Sequence, residues 1–299
     1  MSAGTPVTST STSTSTIAST AAGPLAGRGL GIGWRPEIAG VIEDLPGLRF
    51  CEVVAESLPT NRRATITVPD ALRTLTDRGV AVVPHGVALS LGSADGFQPE
   101  RAVRLAACAD ALHAPVASEH IAFVRAGGIE AGHLLPIPRT RPALAVMVRN
   151  VRATQAELGV PLALEPIAAL LDWPEADYTE AEFLQELLEQ TSAYLLLDVA
   201  NLYANALNHG RDALEELSRL PLERIAYAHI AGGSLVDGLY HDTHTDPVPA
   251  EVLSLAHELA TRHAPPALML ERDGHYPPGP ELRAELDAIA SAVGWAAIT

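Results

Sequence analysis

His229 closes the apolar run IAYAHI, and further along come Asp242 and His244, two residues apart. In extended backbone, residues two apart leave the chain on the same side, so a carboxylate and an imidazole at that spacing can converge on one cation. Taken alone, the pattern also fits a hydrogen-bonded core histidine followed by a loop in which Asp bonds its own backbone. The rest of the sequence decides between these readings by what other segments deliver. Short apolar runs end at His85, at Glu119-His120, at Glu165, at Asp198 and at Glu271, and one leads to Glu56. Such residues seldom enter apolar surroundings without a partner or an ion, yet here they follow runs as apolar as LLLD and LMLE.

The donor types narrow the chemistry. Four imidazoles (His85, His120, His229, His244) and four carboxylates (Glu165, Asp198, Asp242, Glu271) are too many for one ion. Carboxylates bridge, so the set predicts two or three ions. Mixed nitrogen and oxygen donors favour iron or manganese, the number of imidazoles disfavours magnesium, and a multi-zinc hydrolytic site remains an alternative. Glu52 and Glu56 are read as possible arginine partners, and Glu119 as a group that orients His120. The histidines at 113, 133, 209, 257, 263 and 275 fall in predicted helices or loops and, with His241, read as surface or capping residues.

The elements that must position these groups follow from periodicity. Eight apolar runs, GLGIGW (29–34), LRFCEVVA (48–55), VAVVPH (80–85), PVASEH (115–120), PLALEP (161–166), YLLLDV (194–199), RIAYAHIA (224–231) and PALMLER (266–272), read as buried parallel strands. Segments of helical period lie between them, including ALEELSRL between the sixth and seventh strands, and Thr179 with Glu182 forms a capping-box pattern. Alternation of this kind predicts a (β/α)8 TIM barrel of the xylose-isomerase kind, whose strand C-termini gather the active site. Residues 1–26, rich in Ser and Thr and without the charge and apolar run of an export signal, are expected to be a disordered extension, with residues 27–299 as one barrel domain.

Composition excludes several classes. Of 299 residues, 36 are acidic and 20 are Lys or Arg, a net charge of −16 that argues against unaided nucleic-acid binding. No apolar stretch reaches membrane-spanning length. Two cysteines, Cys51 and Cys108, give no disulfide framework or cysteine zinc motif, which suits a reducing cytoplasm.

In order and spacing, HGVALSLGS (85–93), SEHIAF (118–123), LLPIP (134–138), LLLDVANLYANALNHG (195–210), HIAGG (229–233), DTH (242–244) and LERD (270–273) resemble the multinuclear non-haem iron-dependent oxidative enzymes, a family that includes the iron oxidase of methanobactin biosynthesis. The resemblance covers roughly residues 29 to 290. It implies a TIM barrel holding two or three iron ions in mixed Fe(II)/Fe(III) states, with O2 as co-substrate, that oxidises cysteine or another residue of a ribosomally made precursor peptide. It also implies a companion protein that recognises the leader of that precursor. Carried over by position, the family's ligands are the same eight residues, with Asn201 as an oxygen donor to a third ion.

Four departures from the family pattern, Ser57 after Glu56, Pro166 after Glu165, Ala200 in place of the first Asn of Asp-Val-Asn-Asn, and Gly233 where His often stands, remove none of the eight and alter what surrounds them. The alternatives are a manganese or zinc barrel of the sugar isomerase or endonuclease type, and a non-catalytic metal-binding scaffold in a biosynthetic complex.

Overall fold

Eight parallel strands close into a barrel in the computed structural model, which describes Met1, residues 23–61 and residues 65–299. In chain order they are β1 (Gly29–Gly33), β2 (Phe50–Val54), β3 (Ala81–Gly86), β4 (Ala117–His120), β7 (Leu162–Glu165), β8 (Tyr194–Asp198), β9 (Ile225–Ile230) and β12 (Ala267–Leu270), with β12 pairing back onto β1. All eight predicted strands are present. Helices α1 (Ala39–Glu43), α2 (Asp70–Asp77), α3 (Pro99–Leu112), α4 (Arg141–Glu157), α5 (Glu180–Thr191), α6 (Val199–Asn208), α7 (Ala213–Arg219), α8 (Ala250–Arg262) and α9 (Gly279–Val293) return the chain between strands. Two helices, not the single predicted one, separate β8 from β9, because Asp198 at the end of β8 caps α6 directly: its Oδ1 accepts the N–H groups of Ala200 and Asn201. The capping box at Thr179 and Glu182 is formed as its sequence predicts.

Side-chain alternation explains how an apolar barrel ends in a polar floor. Phe50, Val83, Val116, Ala163, Leu196, Tyr227 and Met269 pack together as one buried cluster. Two residues further along the same strands stand Glu52, His85, Ser118, Glu165, Asp198, His229 and Glu271. Because strand side chains alternate faces with a period of two, both sets share the inward face, one layer above the other. Gly31 of β1 has no side chain because a Cβ there would lie 2.5 Å from the Phe50 ring. A larger second cluster fills the space between strands and helices.

The lower layer reaches back further than the expected domain boundary. Leu25 is fully buried in the same cluster as Phe50, so residues 23–26, assigned to the extension, are part of the ordered fold. Residues 2–22 lie outside the described residues.

Two antiparallel hairpins rise from the C-terminal rim: β5 (Ala122–Ala126) with β6 (Ile129–Pro136) after β4, and β10 (Gly232–Val236) with β11 (Leu239–Asp246) after β9. Their tips are Gly127-Gly128 and Asp237-Gly238, all with positive φ, the backbone of tight two-residue hairpin turns. Gly232-Gly233 opens β10. At Gly232 a Cβ would meet the carbonyl oxygens of Asp246 and Pro247 at 2.1 and 2.3 Å, so the base of this hairpin closes only on glycine. Gly232→Ala should therefore destabilise the fold by about 1–3 kcal/mol, read as a lowered midpoint in chemical denaturation; an unchanged midpoint would mean that the hairpin base can open without cost.

Candidate metal centre

Strand register places the predicted residues beside one another before any side chain is considered. His120 is the Cα partner of Glu165, and His229 is the partner of both Asp198 and Met269, the residue two before Glu271. All eight predicted ligands and Asn201 meet at the C-terminal mouth. Asp242 and His244 arrive from above on β11, where His244 has φ 53°, a left-handed backbone that turns its ring toward the floor residues.

The donor atoms form overlapping groups. His85 Nε2 and His120 Nε2 are 3.3 Å apart, and each lies 3.5 Å from Glu165 Oε2. The other oxygen of Glu165 is 3.5 Å from His229 Nδ1, which lies 3.0 Å from Glu271 Oε2. His244 Nδ1 is 3.5 Å from that same Glu271 oxygen, and its Nε2 is 3.8 Å from Asp198 Oδ2 and 2.8 Å from Asp242 Oδ1. Donors bound at metal–ligand distances of roughly 2.0–2.2 Å around one ion sit about 3.0–3.5 Å from one another, which is the spacing observed. Glu165 faces three imidazoles and Glu271 two, as bridging carboxylates would.

Hydrogen bonding provides an independent test of fit. Among the described residues, ten buried side-chain nitrogen or oxygen atoms have no hydrogen-bond partner, and seven of them belong to this cluster and its floor: Glu52 Oε1, Glu165 Oε2, Asp198 Oδ2, Asn201 Oδ1, His229 Nδ1, Asp242 Oδ1 and His244 Nε2. His244 Nε2 and Asp242 Oδ1 are close without hydrogen-bond alignment. Buried polar atoms are rarely left unpaired, yet here Asp198 Oδ2 and Asp242 Oδ1 both face His244 Nε2, Glu165 Oε2 faces two imidazoles, and His229 Nδ1 faces Glu165 and Glu271. Their opposite ends are satisfied: Asp198 Oδ1 caps α6, Asn201 Nδ2 donates to the carbonyl oxygen of Pro166, and His120 Nδ1 lies 3.1 Å from the Gly86 carbonyl oxygen and 3.3 Å from Glu119. The residues fit a multinuclear cation site.

Electrostatics point the same way. Burial disfavours charge on His120, but the carboxylates of Glu165 and Glu119 prevail and hold the imidazole up to about 9. Burial likewise opposes charge on His229 and His244; the carboxylates of Glu52 and Glu165 around the first, and of Glu271 and Asp242 around the second, raise both well above the ordinary range. Glu165, despite burial, is drawn down to about 2 by His229 and His120, whereas burial and the neighbouring Asp242 push Asp198 up to about 7. Without metal, protons do the neutralising work that cations would do.

Several groups stand where sequence reasoning did not place them. Glu56 sits on the turn after β2 and accepts the Val87 N–H, while Glu52, inside β2, is fully buried at the cluster floor, with its Oε2 bonded to Tyr227 and His229. The alternation rule, Phe50-x-Glu52 as in Leu196-x-Asp198, would have identified it. Glu119 accepts the backbone N–H groups of Leu89 and His120. His113, His209 and His263 end helices as expected, but His133 lies on β6 and lines the cleft. Cys51 and Cys108 are free and buried. At Gly233 the N–H donates to Tyr240 Oη and a Cβ would lie 2.3 Å from the His241 carbonyl oxygen, so the histidine found there in the resembled family has no room.

Above the floor opens a cleft of about 950 Å³, walled by the two hairpins and by residues 167–171. Arg101, paired with Glu130, stands on its wall, and His85, His120, Glu165, His244 and Glu271 form its base.

Comparison with known proteins agrees with the geometry. A family model described as "RiPP precursor modification enzyme MbnB/TglH/ChrH" matches residues 29–293. A UPF0276 protein of Streptomyces avermitilis is 51% identical over 268 residues, covering 87% of this chain; the chain spans only about half (54%) of that relative's length. A UPF0276 protein of Caulobacter vibrioides is 36% identical over 271 residues, covering 90% of this chain and 95% of the relative. Among solved structures, a putative xylose isomerase from Rhodospirillum rubrum superposes with TM-score 0.52 at 16% identity, covering 90% of this chain and 97% of that one. Endonuclease IV from Thermus thermophilus gives 0.52 at 18%, covering 89% and 98%. At such identities these two show the barrel fold alone. No helix among the described residues is long and apolar enough to cross a membrane.

The proton-filled cluster yields a pH dependence. His120 titrates above its unfolded value of 6.5, so its charge stabilises the metal-free fold below pH 6.5, and that contribution is lost as pH rises through about 9. Asp198, raised to about 7, acts in the same direction. The melting temperature of the metal-free protein should fall between pH 6.5 and 9, while added divalent metal should displace the protons and reverse the fall. A metal-free melting temperature flat across that range would contradict this electrostatic account.

Proposed function

The chain belongs to the RiPP precursor modification enzyme family MbnB/TglH/ChrH, and from that membership and the geometry of the donor cluster we propose that it is an iron- and O2-dependent oxidase of a ribosomally synthesised peptide. The observation that carries the reading is the set of unpaired buried donors of Glu165, Asp198, His229, Asp242 and His244 converging beneath an open cleft, with Glu165 turning one oxygen to His85 and His120 and the other to His229.

In this reading His85, His120 and Glu165 hold one ion, and Glu165, Asp198 and His229 a second. Asp198, His244 and Glu271 hold a third, with Asp242 and Asn201 as further donors. Bound iron would supply O2 activation and fix a cysteine thiolate of the precursor, since a coordinating thiol is deprotonated. The chain's own residues do the rest. Arg35 donates to Asp273 and lies 3.3 Å from Glu271, holding that carboxylate at the edge of the cluster. Glu119 and the Gly86 carbonyl fix the outer nitrogen of His120, and the hairpins enclose the cleft that receives the peptide.

Two free, buried cysteines suit a reducing cytoplasm as the place of this work. A companion protein that presents the precursor's leader, as the family resemblance implies, completes the proposed assembly.

Anaerobic purification with iron supplied, followed by metal quantitation and Mössbauer spectroscopy, tests the reading. Two or three irons per chain with a coupled Fe(II)/Fe(III) signal, diminished in His229→Ala and Asp242→Ala, is the expected result. Stoichiometric zinc or manganese without iron would transfer the assignment to the hydrolase or isomerase chemistry of other metal barrels. With a cognate precursor, O2 consumption should stop when its target cysteine is replaced by serine; unchanged oxidation would rule out thiolate anchoring.

A further inference from the structure

Beneath the cluster runs a continuous buried chain of hydrogen bonds. Tyr227 Oη is 2.5 Å from Glu52 Oε2 and 2.7 Å from Ser118 Oγ. Ser118 Oγ is 2.8 Å from His85 Nδ1, and His229 Nε2 is 3.0 Å from the same Glu52 oxygen. Glu52, Ser118, Tyr227 and His229 are fully buried, and His85 nearly so at 2% exposure. Each hydroxyl has one proton to give.

Counting protons gives the chain a direction. A carboxylate only accepts, so Glu52 Oε2 receives both the Tyr227 O–H and the His229 Nε2–H. Tyr227 has then spent its proton, and its oxygen accepts from the Ser118 O–H. Ser118 has then spent its own, and its oxygen accepts from the His85 Nδ1–H. Every proton runs toward Glu52. We infer that Ser118, Tyr227 and Glu52 are positioning residues that fix the proton on opposite ring nitrogens of two histidines, Nδ1 of His85 and Nε2 of His229, so that Nε2 of His85 and Nδ1 of His229 are the nitrogens left to face the cluster above, where an ion can take the place of a proton. The histidines belong to different donor groups, so one chain sets the floor of both. His120, whose Nδ1 has the Gly86 carbonyl and Glu119 as its own partners, stands outside it. The consequence for metal rests on the proposed metal reading; the direction of the chain does not.

The test is long-range 1H–15N correlation spectroscopy on metal-free protein labelled in its histidines, followed by Zn(II) binding in competition with a chelator. In the wild type, slowly exchanging protons should appear on His85 Nδ1 and His229 Nε2. Tyr227→Phe and Ser118→Ala each remove one hydroxyl. Each should abolish the protected proton on His85 while leaving those of His229 and His120 in place, and should weaken Zn(II) binding at the His85 group by roughly 10–100-fold. Ser118→Ala carries the comparison alone if the larger substitution fails to fold.

A wild-type His85 with no proton on Nδ1, an unprotonated His229 Nε2, or His85 protection unchanged in the folded variants would overturn the inference. The two premises separate cleanly. Protected protons at the stated nitrogens with no Zn(II) or Fe(II) bound would leave the chain standing and remove the metal reading, whereas metal bound through His85 Nδ1 or His229 Nε2 would do the reverse.

Discussion

Glu165 is a charged carboxylate at the buried C-terminal mouth of a barrel, and much of the site can be understood as what lets it stay charged there. Its two oxygens face separate imidazole groups, His85 with His120 on one side and His229 on the other, at 3.5 Å in each case. A single buried carboxylate among apolar strands would be costly and would take up a proton. This one is drawn down by His229 and His120, and those two imidazoles are raised by it and by Glu52, Glu119 and Glu271 in turn. Such mutual dependence means that no member of the cluster has a stable protonation state by itself. Cations replacing the protons would satisfy the same balance with donors already at ligand spacing.

The barrel makes this affordable by separating two tasks along each strand. The lower inward layer, from Phe50 to Met269, closes the interior with apolar packing, and the layer two residues above carries the polar groups. Tyr227 joins the two: its ring packs edge-on to Phe50, 6.2 Å between centroids, while its hydroxyl enters the hydrogen-bond chain under the histidines. The hairpins then add what strand ends alone cannot supply, since Asp242 and His244 reach the cluster only because β11 folds back over it.

Much of this was legible in the sequence because buried parallel strands are short, apolar and punctuated, and a polar residue at their end stands out. All eight strands and the gathering of His85, His120, Glu165, Asp198, His229 and Glu271 at one mouth follow from that contrast, while Asp242 and His244 were marked only by their two-residue spacing. Glu52 was obscured because it lies within its apolar run instead of at the end, and Glu56 occupied the apparent terminus. The hairpins were obscured for a related reason: β6 and β11 carry polar and charged residues on both faces, so no alternation marks them, and only Gly127-Gly128 and Asp237-Gly238 betray their turns. Helix α6 was hidden by its own cap, since Asp198 reads as a strand end and serves as a helix start as well. Ser118 and Tyr227 carry no sequence signal of their role, which exists only through partners 109 and 175 residues apart along the chain.

The central claim is that these donors form one multinuclear centre with Glu165 shared between ions. Anomalous diffraction at the iron edge, from crystals grown anaerobically with iron, tests it most directly. The account calls for separate peaks between His85, His120 and Glu165 and between Glu165, Asp198 and His229, with Glu165 touching both. A single peak that leaves Glu165 uncoordinated, or iron bound only outside the cleft, would contradict it.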